Sequence, residues 1–425
     1  HSIMVLYDGD EAKLRATLTK EFSKTNINDY ILKPVFGSQG KGIIRIKIPS
    51  DLNIAVNHIK NFYNGENVSG KILKYNYWII NQYLDNPWLY ERNNDNLKGE
   101  NKLITAKVKT NMRFYVLLVM NPLPTFKDLE NYNPNQEIIT AYISQYGILY
   151  LAMEGYDKNS NEQKKIITNL QVAKDYYKDN NIPSNFASEN YTNILPDAYE
   201  GQINKPVPFA DIMAQFKTMV DVTLNAVKYN LRCLNRFCES FKGCFNLLAY
   251  DTMLDANGKL WLIEINRGPD LNGLAYNLNR LSLLTNAQKA IPNYGITQFF
   301  DELFNLTVDK FYGKPLVPLT YFNIKLGIKY DPFDFKQNTL YKRLDSLVSE
   351  KELILDQLSS KQFNLDKRSE EVENILKLLD EHNLEMYNIV NYIKNNKKNI
   401  IDISRAKDSL NKILKLDKKI NKYVN

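Results

Sequence analysis

Residues 245–254 read FNLLAYDTML and residues 260–266 read LWLIEIN, with DANG at 255–258 between them. Two apolar runs joined by a short turn that ends in glycine are typical of a β-hairpin. Glu264 and Asn266 are two residues apart on the second strand, so both side chains project from one face. On the first strand, Asp251 is placed to project beside them.

These three polar side chains have the chemistry of a magnesium site. Two carboxylates and an amide offer hard oxygen ligands, and such a set leaves coordination positions for water and phosphate. A buried face with these groups and no partner would be costly. We therefore predict three metal ligands: Asp251, Glu264 and Asn266. A structural salt-bridge cluster is the alternative interpretation.

A glycine-rich turn, GSQGKG at 37–42, lies between two predicted strands within 29–48. Three glycines in six residues let backbone N–H groups approach an anion, and lysines stand before and within the turn. It is not a P-loop, because Gly rather than Ser or Thr follows the second lysine. We predict phosphate binding by Lys33, Gly37, Ser38, Gln39, Gly40, Lys41 and Gly42. An ordinary hairpin loop is the alternative.

Lys109 and Arg113 lead into a buried-type strand that ends at Met120. Two cations four residues apart suit a phosphate or a carboxylate. Alone this pattern is weak, and surface cations are the competing interpretation.

The remaining pattern predicts a strand at 77–84 and a hairpin at 141–151 that turns near Gly147. A helix is expected at 212–237. From Thr339 onward apolar residues recur at helical intervals among charges, which predicts a helical hairpin or bundle. The resulting domain prediction is a short N-terminal segment at 1–28, a core at 29–330 with insertions at 85–108 and 155–210, and a helical region with a basic tail at 339–425.

Composition excludes several classes of protein. The 425-residue chain is 44% apolar and 24% charged, as a globular protein is. No apolar run reaches the roughly 18 residues of a membrane span. Residues 394–425 hold ten basic and three acidic residues, an excess equal to the whole net charge of +7. Such a tail attracts polyanions, although a solvated helical face explains it equally well.

Cysteine and histidine are scarce. The three cysteines, Cys233, Cys238 and Cys244, have no neighbouring histidine, which favours free thiols in a reducing compartment. Only three histidines are present, so chemistry that depends on a histidine pair or triad is not expected.

Taken in order, these motifs resemble the tubulin-tyrosine ligase-like family of ATP-grasp ligases. The string KPVFGSQGKGI at 33–43 resembles the family's phosphate loop, and QYLDNP at 82–87 resembles its adenine-side hinge strand. Residues 109–119 resemble its KFDLR-x-YVLV block, Thr168-Asn169 its Thr-Asn element, and 245–269 its last block. The fold class implied is α+β: an ATP-grasp-like core with an added C-terminal helical bundle.

The resemblance implies ATP and Mg²⁺ as cofactors, with roles for particular residues. Those implied around the adenine are Gln82, Tyr83 and Leu84. Lys109 and Arg113 are implied at the γ-phosphate and acyl phosphate. Where the family often has an arginine this chain has Tyr150, and Arg267, directly after the predicted metal ligand Asn266, is the candidate replacement. The family's aspartate between the two cations is Asn111.

The function implied is ATP-dependent joining of an amino acid to a protein carboxylate through an acyl phosphate. The acceptor expected is tubulin or another acidic-tailed protein, in the cytoplasm, on the cytoskeleton or in a virion. A catalytically reduced scaffold is the alternative function, because Tyr150 and the short N-terminal segment depart from the family. No membrane partner is expected, because no apolar run is long enough to span a bilayer. A nucleic-acid partner is not expected, because the basic tail lacks interleaved aromatic residues.

Overall fold

The computed structural model describes residues 2–35, 42–63, 66–68, 71–73, 75–92, 106–120, 137, 139–168, 170–179, 192–228, 231, 244–271, 274, 278, 284–290, 294–309, 314–316, 318–329, 332–359, 368–395 and 403–424. The chain divides into two compact units. The first comprises His1–Tyr115, Ser144–Phe216 and Ala249–Phe299, and the second comprises Val116–Ile143, Lys217–Leu248 and Phe300–Asn425.

A four-stranded antiparallel sheet lies in the first unit. Its strands are β1 (Ser2–Leu6), β2 (Asp29–Pro34), β3 (Ile44–Lys47) and β6 (Tyr77–Gln82), in the order β1-β6-β2-β3. Alternate residues of β2 and β6, among them Tyr30, Leu32, Trp78 and Ile80, are buried with the apolar faces of α1 (Glu11–Phe22) and α2 (Leu52–Tyr63). A separate small pair is formed by β4 (Glu66–Val68) and β5 (Lys71–Leu73).

The segment before β2 contributes an edge strand to this sheet and a helix to its core. β1 pairs with β6 over its whole length. Helix α1 begins after Asp10, whose side chain accepts a hydrogen bond from the Lys13 backbone N–H at 3.0 Å. The expected boundary at residue 28 therefore falls inside one folded layer.

A larger sheet contains seven strands. They are β7 (Leu89–Arg92), β8 (Ala106–Met120), β9 (Ile139–Leu151), β10 (Thr192–Leu195), β11 (Cys244–Leu254), β12 (Leu260–Arg267) and β13 (Ile324–Ile328). The order is β10-β9-β8-β11-β12, while β13 also pairs with β9 and β7 with β8. Strands β8, β9 and β11 contribute residues to both units.

The prediction of a hairpin at 141–151 is wrong, because β9 continues through Gly147 as a single strand. A Cβ placed at Gly147 would lie 2.4 Å from the carbonyl oxygen of Arg113. Glycine is required there because the neighbouring backbone approaches so closely, not because the chain turns.

Both segments expected to be insertions contain regular structure. Within 85–108, β7 pairs with the start of β8. Within 155–210 lie α3 (Gln163–Ile166), α4 (Leu170–Asp179), β10 and α5 (Asp197–Glu200). The helix expected at 212–237 is α6 (Phe209–Val227) in the described part of that segment. After the β11–β12 hairpin, the described residues include α7 (Asn286–Lys289) and α8 (Tyr294–Phe304).

The C-terminal region is helical, as the apolar spacing predicted. It consists of α9 (Pro332–Ser359), α10 (Arg368–Asn395) and α11 (Ile403–Val424). Leu344, Leu347, Ile389 and Ile413 are among the residues that form its core. The α+β class with an added helical bundle is thus confirmed. None of the described helices combines the length and the apolar composition that a membrane span requires.

The cysteine interpretation needs a correction. Cys244, at the start of β11, is in a disulfide bond, so the expectation of three free thiols is wrong. Cys233 and Cys238 lie outside the described residues.

Candidate functional site

The hairpin of β11 and β12 has the turn that its sequence predicted. Gly258 has a φ of 85°. One carboxylate oxygen of Asp255 accepts hydrogen bonds from the backbone N–H groups of Asn257 and Lys259, each at 2.9 Å. This network fixes the register of the hairpin, because the turn type sets which residues of the two strands are opposite.

The three predicted metal ligands lie together. The amide nitrogen of Asn266 donates to Asp251 at 3.0 Å and to Glu264 at 3.2 Å. One atom is thus within hydrogen-bond distance of both carboxylates, although Asp251 is on β11 and the other two residues are on β12.

Arg113 closes one side of this group. Its guanidinium donates two hydrogen bonds to the two carboxylate oxygens of Asp251, at 2.7 and 2.8 Å. Burial raises the pKa of Asp251 above its usual value, and the Glu264 charge adds to the increase while Arg113 opposes it. Burial alone would lower the pKa of Arg113, but its hydrogen bonds to Asp251 raise that pKa overall. The bidentate contact sets a guanidinium directly against a carboxylate, so opposite charges offset each other within the pair.

Lys33 contacts the same group of predicted metal ligands through Glu264. From β2 of the four-stranded sheet, its ammonium donates to Glu264 at 3.4 Å and to the carbonyl oxygen of Ile263 at 3.2 Å. Burial acts to raise the pKa of Glu264, but Lys33, Asn266 and Arg113 together lower it below its usual value. The lysine before the glycine turn and the β12 carboxylate, 231 residues apart in sequence, therefore meet in one site.

Much of the glycine turn itself, Gly37, Ser38, Gln39, Gly40 and Lys41, lies outside the described residues. Gly42 is described and has a φ of 73°. A Cβ there would lie 3.3 Å from side-chain atoms of Pro34 and Phe62. Positive φ and crowding both favour glycine at the end of this turn.

The donor set fits a hard divalent cation. Two carboxylates converge on the Asn266 amide, and rotation of that amide would present its oxygen instead of its nitrogen. Glu264 is 46% exposed, so the group is open to solvent on that side. Among the described residues no three His, Cys, Asp or Glu side chains are grouped so that they could hold a metal ion, so a metal here depends on the asparagine as third ligand.

Lys109 lies in a different cluster from Arg113. It is 3% exposed, its ammonium donates to the Tyr83 hydroxyl at 3.2 Å, and it lies 4.2 Å from the centre of the Tyr83 ring. The Arg45 guanidinium contacts the same ring at 4.0 Å. Burial, with a smaller effect of the Arg45 charge, lowers the pKa of Lys109 to about 7. The structure thus places Lys109 and Arg113, which lie on one strand face, in two separate clusters.

The hinge residues occupy the end of β6 and the segment after it. Gln82 is exposed and pairs with Tyr30, whereas Tyr83 is buried and its backbone N–H donates to the Asp29 carbonyl oxygen at 2.9 Å. Leu84 is half-buried. Arg267, at the end of β12, is exposed.

Two side chains of this region were not anticipated. Leu262 is 39% exposed, and it shares the face of Glu264 because it is two residues before it on β12. That parity was readable from the sequence. Arg45 pairs with Asp29 and donates to the carbonyl oxygens of Lys158 and Ser160, a set of contacts that no local pattern signals.

The chain is similar in sequence to several known proteins. The sequence profile of the Tubulin-tyrosine ligase family matches residues 11–283. The chain is 24% identical over 331 residues to the Caenorhabditis elegans protein named "Probable tubulin polyglutamylase ttll-9", covering 72% of this chain and 66% of that one. It is 24% identical over 253 residues to "Tubulin glycylase 3C" of Tetrahymena thermophila, covering 57% and 18%.

The chain is 23% identical to "Probable alpha-tubulin polyglutamylase Ttll1" of Tetrahymena thermophila over 59% of this chain. It therefore spans 66% of the length of the nematode relative and 51% of the length of the Tetrahymena one. A similar solved structure is that of the C-terminal domain of K. lactis Pby1, an ATP-grasp enzyme interacting with the mRNA decapping enzyme Dcp2. The similarity covers 78% of this chain and 72% of the Pby1 domain, with a TM-score of 0.42 and 14% sequence identity. The family profile covers well over half of the chain, which therefore belongs to the tubulin-tyrosine ligase family.

Proposed function

We propose that this chain joins an amino acid to a protein carboxylate in an ATP- and Mg²⁺-dependent reaction that passes through an acyl phosphate. The observation that carries the proposal is the meeting of Lys33 with Asp251, Glu264 and Asn266. Cations on one side and convergent oxygen ligands on the other are what a nucleoside triphosphate with its metal requires.

The proposed residue roles follow from charge and position. Lys33 and the turn at 37–42 neutralise the phosphates, while Asp251, Glu264 and Asn266 hold the metal. When bound, Mg²⁺ supplies charge neutralisation at the transferring phosphoryl group. Leu262, Gln82, Tyr83 and Leu84 provide the partly apolar surface that a purine needs.

Arg113 and Arg267 are the proposed cations for the acyl phosphate. Arg113 is rigid because both of its hydrogen bonds to Asp251 hold one planar geometry. Arg267 is exposed at the end of β12, one residue after Asn266. Preorganised cations of this kind stabilise charge without reorganising during the reaction. Lys109, four residues before Arg113 on the same strand face, contributes its charge only when protonated.

The proposed acceptor is tubulin or another protein with an acidic tail, as the names of several relatives concern tubulin. The exposed lysines of α11, such as Lys407, Lys412 and Lys415, suit such a tail electrostatically. Binding that depends on them should weaken steeply with salt. The corresponding location is the cytoplasm or the cytoskeleton.

The test is mass spectrometry of acidic-tailed acceptors, tubulin included, incubated with ATP, Mg²⁺ and each of glutamate, glycine and tyrosine. We expect a mass increase of one or more amino-acid residues. Glu264→Gln should lower the rate by more than about 100-fold, since loss of even an outer partner of a metal ligand costs 10–100-fold. Glu91→Gln is the matched control, because the side chain of Glu91 pairs with the exposed Lys107 at the sheet surface. Full activity in Glu264→Gln would contradict the proposal.

A catalytically reduced scaffold is the second candidate. It is favoured by the bidentate pair of Arg113 with Asp251, which occupies both a proposed metal ligand and a proposed catalytic cation. Tyr150 at the position of a family arginine favours it as well. A scaffold would give no mass increase with any amino acid, and its ATP affinity would be the same with and without Mg²⁺.

A further inference from the structure

Arg45, a buried arginine of β3, holds together segments that are distant in sequence. It is 6% exposed, and its guanidinium donates to both carboxylate oxygens of Asp29 on β2, with the Nε contact at 2.9 Å. Its Nη1 donates to the carbonyl oxygens of Lys158 and Ser160, at 2.6 and 3.2 Å. All three guanidinium nitrogens are therefore engaged, and the planar group has a fixed orientation.

The Tyr83 ring contacts two cations. The Arg45 guanidinium carbon lies 4.0 Å from the ring centre. The Lys109 ammonium lies 4.2 Å from the same centre and donates to the Tyr83 hydroxyl at 3.2 Å. An aromatic ring attracts a cation placed over its face. The two charges are at most about 8 Å apart inside the protein, where they repel each other more strongly than in water.

Tyr83 is also held by the residues around Arg45. Its backbone N–H donates to the carbonyl oxygen of Asp29 at 2.9 Å, so the residue that binds the guanidinium also binds the backbone of Tyr83. Its hydroxyl shares a hydrogen bond with Tyr156, whose own hydroxyl donates to the Asp85 carbonyl oxygen at 3.0 Å. The ring is therefore positioned by the Arg45 contact together with hydrogen bonds at both ends of the residue.

The charge of Lys109 depends on this arrangement. Among the described residues, the charged or titratable groups that face its ammonium are Arg45, Asp29, Tyr83 and Tyr156, the last with its ring centre at 5.8 Å. Burial is the main cause of the lowered pKa of Lys109, the Arg45 charge lowers this pKa further, and the Asp29 carboxylate opposes both. Loss of the Arg45 charge would therefore keep Lys109 protonated to a higher pH.

Resting on the proposed function, we propose that Arg45 is a positioning residue of the nucleotide site, which acts through Tyr83 on the place and the charge of Lys109. In this role Arg45 contacts no substrate atom. Its loss should change how the affinity for Mg-ATP varies with pH. A residue that only stabilises the fold would leave the titration of Lys109 where it is.

The first measurement is an NMR titration of the Lys109 ammonium in the ligand-free chain, with the signal assigned by its absence in Lys109→Met. Arg45→Gln should raise the titration midpoint by about one pH unit, because a like charge at this distance is removed. Arg45→Lys should restore most of the wild-type midpoint, because it keeps the charge. Lys47→Gln is the matched control, since Lys47 is an exposed cation two residues further along β3.

The second measurement is calorimetry of Mg-ATP binding between pH 6 and 9.5. We expect the wild-type affinity to fall about three- to tenfold as Lys109 loses its charge, and the fall to occur about one pH unit higher in Arg45→Gln. If Arg45→Gln does not fold, Arg45→Gln/Asp29→Asn also removes the carboxylate left without its partner. The midpoint should then still rise, by less, because Asp29 opposes the effect of Arg45.

An unchanged Lys109 midpoint in the Arg45 variants would overturn the proposal, whatever the nucleotide affinity. A raised midpoint with an Mg-ATP affinity that varies with pH as in the wild type would overturn the claim that Arg45 acts on the nucleotide. Absence of Mg-ATP binding by the wild type at every pH would contradict the proposed function, while a raised midpoint would still support the action of Arg45 on Lys109.

Discussion

Two cations on one strand face, Arg113 and Lys109, have opposite environments. Arg113 is paired with Asp251 through two hydrogen bonds, and its pKa is raised by them against the effect of burial. Lys109 is more deeply buried, contacts the Tyr83 ring and hydroxyl, and has its pKa lowered to about 7 by burial and by Arg45. The two residues are about 13 Å apart along the strand.

The difference shows how a sheet assigns separate tasks to residues of the same charge. A buried guanidinium with a carboxylate partner is a permanent, oriented cation. A buried ammonium that contacts a phenol hydroxyl and aromatic rings can lose its proton near neutral pH, because burial disfavours its charged form. Arg113 therefore suits the developing charge of a phosphoryl transfer at any ordinary pH, whereas the contribution of Lys109 depends on pH.

The largest effect is expected from breaking the Arg113 cluster. Arg113→Met leaves the buried Asp251 carboxylate without its main partner, which should lower the free energy of unfolding by about 3–5 kcal/mol. Denaturant titration measures the change. Arg15→Met is the control, because the pair of Arg15 with Glu11 is exposed and little change is expected. Equal effects of the two substitutions would contradict the assignment of Arg113 as a buried, paired cation.

The lowered pKa of Lys109 should make the free energy of unfolding depend on pH. The pKa of Lys109 is lowered in the folded chain, so between about pH 7 and 10 the unfolded chain holds a proton that the folded chain has lost. Stability therefore rises with pH in this window, by up to about 1.4 kcal/mol per pH unit, and the rise ends above the unfolded pKa. Below pH 7 Lys109 is charged in both states, and its desolvation cost is present in full.

Lys109→Met should remove this part of the slope when unfolding is measured at several pH values. Lys107→Met on the same strand should retain it, because Lys107 is exposed and pairs with Glu91. Identical slopes for wild type and Lys109→Met would show that Lys109 keeps an ordinary pKa.

The close approach of β9 to β8 gives a third test, at the carbonyl of Arg113. Gly147→Ala places a methyl group 2.4 Å from that oxygen, so the strands must separate. We expect a loss of about 1–3 kcal/mol in the free energy of unfolding, together with weaker Mg-ATP binding. Gly155→Ala serves as the control, because its Cβ would have only an ordinary 3.4 Å contact with Ala106. If both glycines tolerate alanine equally, the strand spacing does not position Arg113.

The smallest effect is expected for Tyr83→Phe. It removes the hydroxyl that accepts a hydrogen bond from Lys109 while keeping the ring contact. The loss should be about 1 kcal/mol, and the midpoint of Lys109 titration should fall further, since the charged form loses a partner. A calorimetric or NMR titration follows the midpoint. A midpoint that rises would mean that the hydroxyl does not stabilise the ammonium.

Local parity and turn chemistry made the hairpin of β11 and β12 predictable from sequence. Glu264 and Asn266 share a face because strand side chains alternate, and Asp255 to Gly258 form the turn that their residue types favour. The nearness of Asp251 followed from the same hairpin. Residues that strand alternation places on one face could therefore be grouped from the sequence alone.

Contacts between distant segments could not be read in the same way. The burial of Lys109 depends on Arg45 of β3 and on Tyr83, which follows β6. Both residues are distant from Lys109 in sequence, so the motif alone suggested two similar cations. Gly147 was interpreted as a turn because glycine commonly marks one, whereas here it admits the Arg113 backbone. The disulfide at Cys244 was missed because cysteine spacing does not determine redox state.

The central claim is that Lys33, Asp251, Glu264 and Asn266 form one metal-nucleotide site, and ATP calorimetry tests it most directly. Wild-type protein is titrated with ATP in Mg²⁺ and again in EDTA, and both titrations are repeated with Glu264→Gln. We expect at least about tenfold tighter binding with Mg²⁺ in the wild type, with that difference lost in the variant. Equal affinity with and without Mg²⁺, or an undiminished Mg²⁺ effect in Glu264→Gln, would contradict the account.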